Sequence, residues 1–519
     1  MKNLRTILLL CFALPLSASA QRWKKTAVIS GDISIIRNRG GQTLGYSEKS
    51  GVKIIIDDGY AFKDLNKNGK LDPYEDWRLP AETRAKDLAS KMSIEQIAGL
   101  MLYSRHQPIP AAVAGPFAGT YHGKSFPESG AKASDLSDQQ IEFLTRDNVR
   151  HVLITSVKDA ETAAEWNNNE QALAESLGLG IPANNSSDPR NGTKANAEYN
   201  AGAGGSISMW PGSLGMAATF DPELVRNFGH IAAREYRALG ISTALSPQVD
   251  LATDPRWARV SGTFGEDPAL SADMARAYID GFQTSTGKAV ISGGWGYESV
   301  NAMVKHWPGG GSGEGGRDAH YAYGKYGVYP AHNFSQLLTP FTEGAFKLSG
   351  ETKMAAAVMP YYTISYQQDL KRGENVANNY NSYIINDLLR NKYHFDGVVC
   401  TDWLVTGDET GIDQFLSGKP WGVEKLSIPE RHYKILMAGV DQFGGNNDVE
   451  PVMEAYQIGV KEQGETYMRD RFEGSAIRLL KNMFRIGLFE NPYLDPAASA
   501  KIVGNADFMQ AGYEAQLRS

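Results

Sequence analysis

One acidic residue at the end of an apolar run is the clearest chemical signal in this chain. In Phe395-Asp396-Gly397-Val398-Val399-Cys400-Thr401-Asp402-Trp403, a buried-looking strand ends at Asp402, beside an aromatic residue. A helix-period segment (Ile384, Ile385, Leu388, Leu389) leads into it through a short turn. A carboxylate at the C-terminal mouth of a parallel strand occupies the functional face of a (β/α)8 barrel, although it can also simply cap the next helix. Other strand ends are polar too: Asp188, Asp250, Lys305-His306 and Tyr361-Tyr362. Singly, each has a structural use: Asp188 can close an Asx turn, Arg256 and Arg259 can pair with Glu266 and Asp267, and His306 can pack. Together they combine carboxylates, cations and aromatic faces. Sugars need that mixture, because their hydroxyls require charged donors and acceptors and their C–H faces lie well on Trp or Tyr.

A second signal is Asp64-Leu65-Asn66-Lys67-Asn68-Gly69-Lys70-Leu71-Asp72-Pro73-Tyr74-Glu75. It matches the calcium loop of an EF-hand, with side-chain oxygens from Asp64, Asn66, Asn68 and Asp72, the Lys70 carbonyl, a turn glycine at Gly69 and a bidentate-capable Glu75. The flanks lack the paired amphipathic helices of a calcium sensor, so a structural ion is expected.

The elements that must position these residues follow a strand–helix rhythm. Ser93 and Gln96 have capping-box spacing at the start of a helix through Leu100. Arg105 to Ala133, rich in Gly, Pro and Ala, reads as a long loop. Beyond it come strand Val152–Ile154, a helix from Asp159 to Leu177 and strand Ile181–Ser187. Asp221-Pro222 and Asp267-Pro268 start helices reaching Leu239 and Phe282. Strands are expected near 243–249, 302–305, 355–359 and 398–401, with a weaker one near 439–441. Repeated βα units with polar strand ends predict an α/β chain built as a (β/α)8 TIM-type barrel, with an N-terminal extension carrying the calcium loop.

With 42% hydrophobic and 21% charged residues among 519, the chain suits a soluble globular enzyme. Lys2 and Arg5, the apolar run from Ile7 to Leu16 and Ala18-Ser19-Ala20 read as a secretory signal cleaved before Gln21. Without it the chain has 50 Lys and Arg against 59 Asp and Glu, a net charge of −9, which makes nucleic acid and anionic membranes poor partners. Cys400 is then the sole cysteine, so no intramolecular disulfide is expected. A bacterial periplasm or the medium is the expected location.

The order of motifs resembles glycoside hydrolase family 3, the exo-acting β-glucosidases and their relatives. The matching passages are Ser208 to Leu224, Asp254 to Arg259, Thr263 to Pro268, Val304-Lys305-His306, Val358 to Tyr362, Phe395 to Trp403, Ala438 to Asp441 and Phe484 to Glu490. The resemblance implies a retaining exo-β-glycosidase acting on terminal β-D-glucosyl residues, with Asp402 as the nucleophile that forms a glycosyl-enzyme ester. Nearby Lys305 and Arg259 would favour the ionised carboxylate. The resemblance also implies that Asp188, Arg259, Lys305, His306, Tyr362 and Trp403 hold the non-reducing-end sugar, with no catalytic cofactor. The domains expected are a signal at 1–20, the extension at 21–80, the barrel at 81–495 and a linker at 496–519 toward an absent α/β sandwich domain.

The sequence departs from the family at the general acid/base. A retaining enzyme needs a second carboxyl about 5–5.5 Å from the first, and most members take it from the sandwich domain. Single-domain β-N-acetylglucosaminidases use an Asp-x-His pair instead. Asp318-Ala319-His320 has that spacing, on a glycine-rich loop whose wording differs from the subgroup's, and Glu314 is a further acid/base candidate there. The alternatives are a carbohydrate-binding barrel without turnover and an activity of the single-domain β-N-acetylglucosaminidase or β-xylosidase type.

Overall fold

A computed structural model describes residues 20–29, 31–192 and 206–519. The expected secretory signal lies outside the described residues, apart from Ala20. The centre of the molecule is a seven-stranded parallel sheet whose strands run in chain order across it: Tyr103–Ile109, His151–Val157, Asn184–Ser187, Ile241–Ala244, Asn301–Trp307, Ala357–Pro360 and Val398–Val399. Parallel bridges from Phe443 to Leu102 and from Gln442 to Cys400 join both edges of the sheet to one short segment. That segment falls just beyond the weak strand expected at 439–441.

The helices start where their sequences allow. The Asp221 side chain accepts from the Glu223 and Leu224 amides ahead of helix Pro222–Ala238, and Asp267 accepts from Leu270 ahead of Pro268–Gln283. In both, proline at the first helical position supplies a preset φ and has no N–H to leave unpaired. The Ser93–Gln96 capping box is present at helix Ile94–Leu100. Apolar faces of these helices and the buried strands form one continuous core.

Two expectations change. The stretch from Arg105, expected as loop, begins inside strand Tyr103–Ile109, whose Arg105 and His106 point to a cavity rather than into the core. Its polar composition hid the strand period, because the face that would normally be apolar lines a site. The N-terminal extension holds five strands between Trp23 and Asp64, arranged in antiparallel pairs. It is fastened to the rest by the buried ion pair of Lys63 with Glu175 at 3.1 Å, and the helix Ala81–Lys91 that follows is tied down by Arg84 to Glu490 at 2.6 Å. Residues 496–519 include helices Pro496–Ile502 and Ala506–Arg518, which bury Ser499, Phe508 and Ala515. No helix among the described residues is long and apolar enough to cross a membrane.

The 64–75 loop joins strand Tyr60–Asp64 to the turns before helix Ala81–Lys91. Its carboxylates bind the loop's own backbone: Asp64 accepts from the Asn68 and Gly69 amides at 3.0 Å each, and Glu75 from Leu65 at 2.8 Å and Asp72 at 3.0 Å. The Asn66 and Asn68 amides both meet Asp72 Oδ2, at 2.7 and 2.6 Å. Among the described residues no group of three or more His, Cys, Asp or Glu side chains is placed to hold a metal ion.

Candidate functional site

The cavity at the C-terminal ends of the strands has a volume of about 210 Å³, below the roughly 300–1,000 Å³ of drug-sized sites, which suits a small ligand. Asp188, Arg259, Lys305, His306, Tyr362, Asp402 and Trp403 all line it. Four separate strand ends and one long loop therefore converge where the sequence pattern placed them.

Asp402 is held by the strand that precedes it. The Cys400 amide bonds to Val358 O at 3.0 Å and the Thr401 amide to Gln442 O at 2.9 Å, which fixes the chain direction at the sheet's end. Trp403 folds against Gly444 and Gly445, where a Cβ would lie 2.7 and 2.8 Å from its indole. Only glycine leaves that space, and Gly445 also has φ +72°. The Asp402 carboxylate is asymmetric. Its Oδ1 accepts from the Trp403 amide and the Tyr362 hydroxyl, each at 2.7 Å. Its Oδ2, buried, accepts no hydrogen bond from the described residues, and His306 Nε2 lies 3.8 Å from it. One oxygen is thus anchored and the other is left to a ligand. Burial, together with the charge of Asp402, pushes the Tyr362 hydroxyl well above the ordinary tyrosine value, so it stays a donor.

His306 is oriented from behind. Its Nδ1 lies 2.6 Å from Asp250 Oδ2, and Asp250 Oδ1 accepts from the backbone of His306 and Gly310. Burial lowers the His306 pKa and outweighs the opposing pull of Asp250, so the ring is neutral at neutral pH. With its Nδ1 proton directed at Asp250, Nε2 faces the cavity as an acceptor. Lys305 Nζ donates to Asp188 Oδ1 at 2.9 Å, forming a charged pair able to bind two sugar hydroxyls.

His320 enters the same cavity. Its ring lies edge-on to Tyr362 at 4.7 Å and stacks on Phe415 at 4.4 Å. Asp318 sits behind it, 2.6 Å from Nδ1, and also accepts from Trp257 Nε1 at 2.8 Å and Tyr361 Oη at 3.0 Å. Burial raises the Asp318 pKa, but the His320 hydrogen bond and the charges of His320 and Arg259 outweigh it and hold the carboxyl well below the usual range. The Asp318–His320 pair is therefore assembled on the cavity wall. Glu314 is not part of it: the residue is exposed, 3.7 Å from Arg317, and does not line the cavity.

Sequence reasoning missed the rim, namely Arg105, His106, Phe117, Phe415, Leu416 and Lys419. The 404–421 segment has no period to read. Lys419 is buried, donates to the carbonyls of Phe415 and Ser417 at 2.8 and 2.5 Å, and lies over the Tyr362 ring at 5.2 Å. Its only sequence signal is a lone lysine among Gly and Pro.

Residues 125–465 match the glycosyl hydrolase family 3 N terminal domain. A periplasmic beta-glucosidase/beta-xylosidase of Dickeya chrysanthemi is 41% identical over 481 residues, covering 90% of this chain and 68% of that protein. Beta-glucosidase C of Emericella nidulans is 38% identical over 458 residues, 88% of this chain and 67% of that protein. Among solved structures, a beta-glucosidase from Listeria innocua in complex with isofagomine superposes with a TM-score of 0.58 at 21% identity, over 84% of this chain and 50% of that one. The chain thus spans about two thirds of these curated relatives and half of the solved chain.

Proposed function

The chain belongs to glycosyl hydrolase family 3, and from that premise we propose that it is a retaining exo-β-glycosidase on a closed (β/α)8 barrel, releasing terminal β-D-glucosyl residues. The observation that carries this reading is the two-sided carboxylate of Asp402. Oδ1 is fixed by Tyr362 and the Trp403 amide, while Oδ2 is buried and accepts no hydrogen bond from the described residues, in a residue that lines the cavity. In the proposed reaction Oδ2 attacks the anomeric carbon, the aglycone oxygen leaves with a proton from a general acid, and water then hydrolyses the ester. The Asp188–Lys305 pair and His306 Nε2 hold the hydroxyls of the terminal ring, and Trp403 lies in the same wall as an apolar face. The names of the relatives support β-glucosides and β-xylosides as substrates, and the Dickeya protein's being called periplasmic supports export.

A second reading concerns the proton donor. His320 lines the cavity with Asp402 and is braced by Asp318, which supports this pair as the acid/base. Turnover of an aryl β-glucoside is assayed with and without azide, in the native chain and in His320→Ala. Turnover lost in the variant and restored by azide supports the pair, and turnover unaffected by His320→Ala refutes it. A native chain that binds glucose analogues but turns over no aryl glucoside, even with azide, refutes the glycosidase reading in favour of a binding barrel.

Calcium at 64–75 belongs to this proposal as a structural ion. Asp64, Asn66, Asn68, the Lys70 carbonyl, Asp72 and Glu75 have the right donor chemistry, and Glu75 would exchange its amide bonds for the ion.

A further inference from the structure

The turn that carries Asp188 is pinned by a helix whose residues do not line the cavity. Strand Asn184–Ser187 pairs with its neighbours only as far as Ser187, so the sheet itself does not fix the chain beyond it. Tyr236, on helix Pro222–Ala238, does. Its hydroxyl accepts from the Arg190 amide at 2.9 Å and donates to the Asp188 carbonyl at 3.3 Å, so one oxygen clips both ends of Asp188-Pro189-Arg190. Glu235, beside it on the helix, accepts from Asn191 Nδ2 at 2.8 Å. The Arg190 guanidinium in turn donates to Ile154 O at 2.9 Å, on the adjacent strand.

Tyr236 is buried and its ring packs edge-on to Phe282, with centroids 5.5 Å apart. Phenylalanine would serve that packing equally well. The hydroxyl is the part that needs partners when buried, and both of its partners are backbone atoms of this one turn. On the cavity side, the Asp188 carboxylate meets Lys305 Nζ at 2.9 Å. A charge pair sets the separation of two side chains but not their place in the cavity. Recognition of hydroxyls depends on place to a fraction of an ångström, and the backbone of the turn supplies it.

Resting on the reading that Asp188 holds hydroxyls of the terminal sugar, we infer that Tyr236 is a positioning residue for that sugar. Through the backbone of residues 188–190 it sets where the Asp188 carboxylate stands, and it touches no substrate itself.

The test is calorimetric titration of the whole chain with the iminosugar isofagomine, at a temperature where every variant is folded. Tyr236→Phe is expected to weaken binding about fivefold, the size of one net hydrogen bond. Tyr278→Phe is the control for a merely structural loss. It removes another buried hydroxyl, which donates to Ser246 Oγ at 2.8 Å, and is expected to lower Tm comparably while leaving the affinity unchanged. A double-mutant cycle with Asp188→Asn shows whether Tyr236 acts through Asp188: the loss in the double variant is expected to fall short of the product of the single losses. Unaltered affinity in Tyr236→Phe, an equal loss in Tyr278→Phe, or losses that simply multiply in the cycle would each overturn the positioning role and leave the glycosidase reading standing. No binding of isofagomine by the native chain overturns both.

Discussion

Replacing Tyr362 with phenylalanine removes one hydroxyl, donated to Asp402 Oδ1 at 2.7 Å within a buried pair, and leaves the ring's packing in place. A hydrogen bond to an ion contributes about 1.5–3 kcal/mol, and about 1.4 kcal/mol is tenfold in rate. Where that free energy acts depends on when Asp402 is charged. In the free enzyme the carboxylate is ionic and the bond is strong; in the glycosyl ester the charge is gone and the bond is weak. As water displaces the ester, Asp402 leaves as a carboxylate and the bond strengthens again. Only an interaction stronger in the transition state than before it accelerates a step. Tyr362→Phe is therefore expected to slow hydrolysis of the ester roughly ten- to a hundredfold and its formation much less. Assayed with a 2,4-dinitrophenyl β-glucoside, whose leaving group needs no proton, the variant should show a pre-steady-state burst. Its kcat and KM should fall together, and kcat/KM should change little. A matching fall of kcat and kcat/KM without a burst would refute the reasoning.

The rim and the N-terminal loop make further predictions. Burial pushes the Lys419 ammonium down to about 8, against the opposing charges of Asp402 and Asp318. The folded-state pKa lies below the ordinary value, so the cation is present below about 8 and lost as pH rises through it. In the window above that, its contribution to stability increases with pH, because the unfolded chain still holds the proton. An alkaline limb of kcat/KM near 8 is expected to move upward in Lys419→Arg, and a limb indifferent to that change would exclude Lys419 as its source. For the 64–75 loop, a chelator is expected to lower Tm and added calcium to restore it. An unchanged Tm, with no calcium found by metal analysis, would remove the ion from the account.

What the sequence made legible is uneven, and the reasons are physical. Asp188, Lys305, His306, Tyr362 and Asp402 could be read because each ends a strand, and parallel strands deliver their ends to one face. Helices Pro222–Ala238 and Pro268–Gln283 were legible from their Asp-Pro starts. Strand Tyr103–Ile109 was not, since Arg105 and His106 occupy positions whose apolar period would have announced it. Phe117, Phe415 and Lys419 lie on segments with no period at all, and only the folded chain brings them to the cavity. Glu314 was a further candidate beside Asp318 and His320 because it lies close to them in sequence. The turn at Gly315 and Gly316, with φ of +64° and +74°, separates its exposed position from theirs.

The central claim is that Asp402 Oδ2 attacks the anomeric carbon. Incubating the chain with 2-deoxy-2-fluoro-β-D-glucosyl fluoride, then digesting it and mapping the peptides by mass spectrometry, tests this directly. The fluorine slows ester hydrolysis and the fluoride leaves without an acid, so the adduct should accumulate even where the proton donor is missing. The account predicts one fluoroglucosyl ester, on the peptide containing Thr401-Asp402-Trp403 and absent in Asp402→Asn. A label on Asp188, Asp318 or any other carboxylate would contradict it.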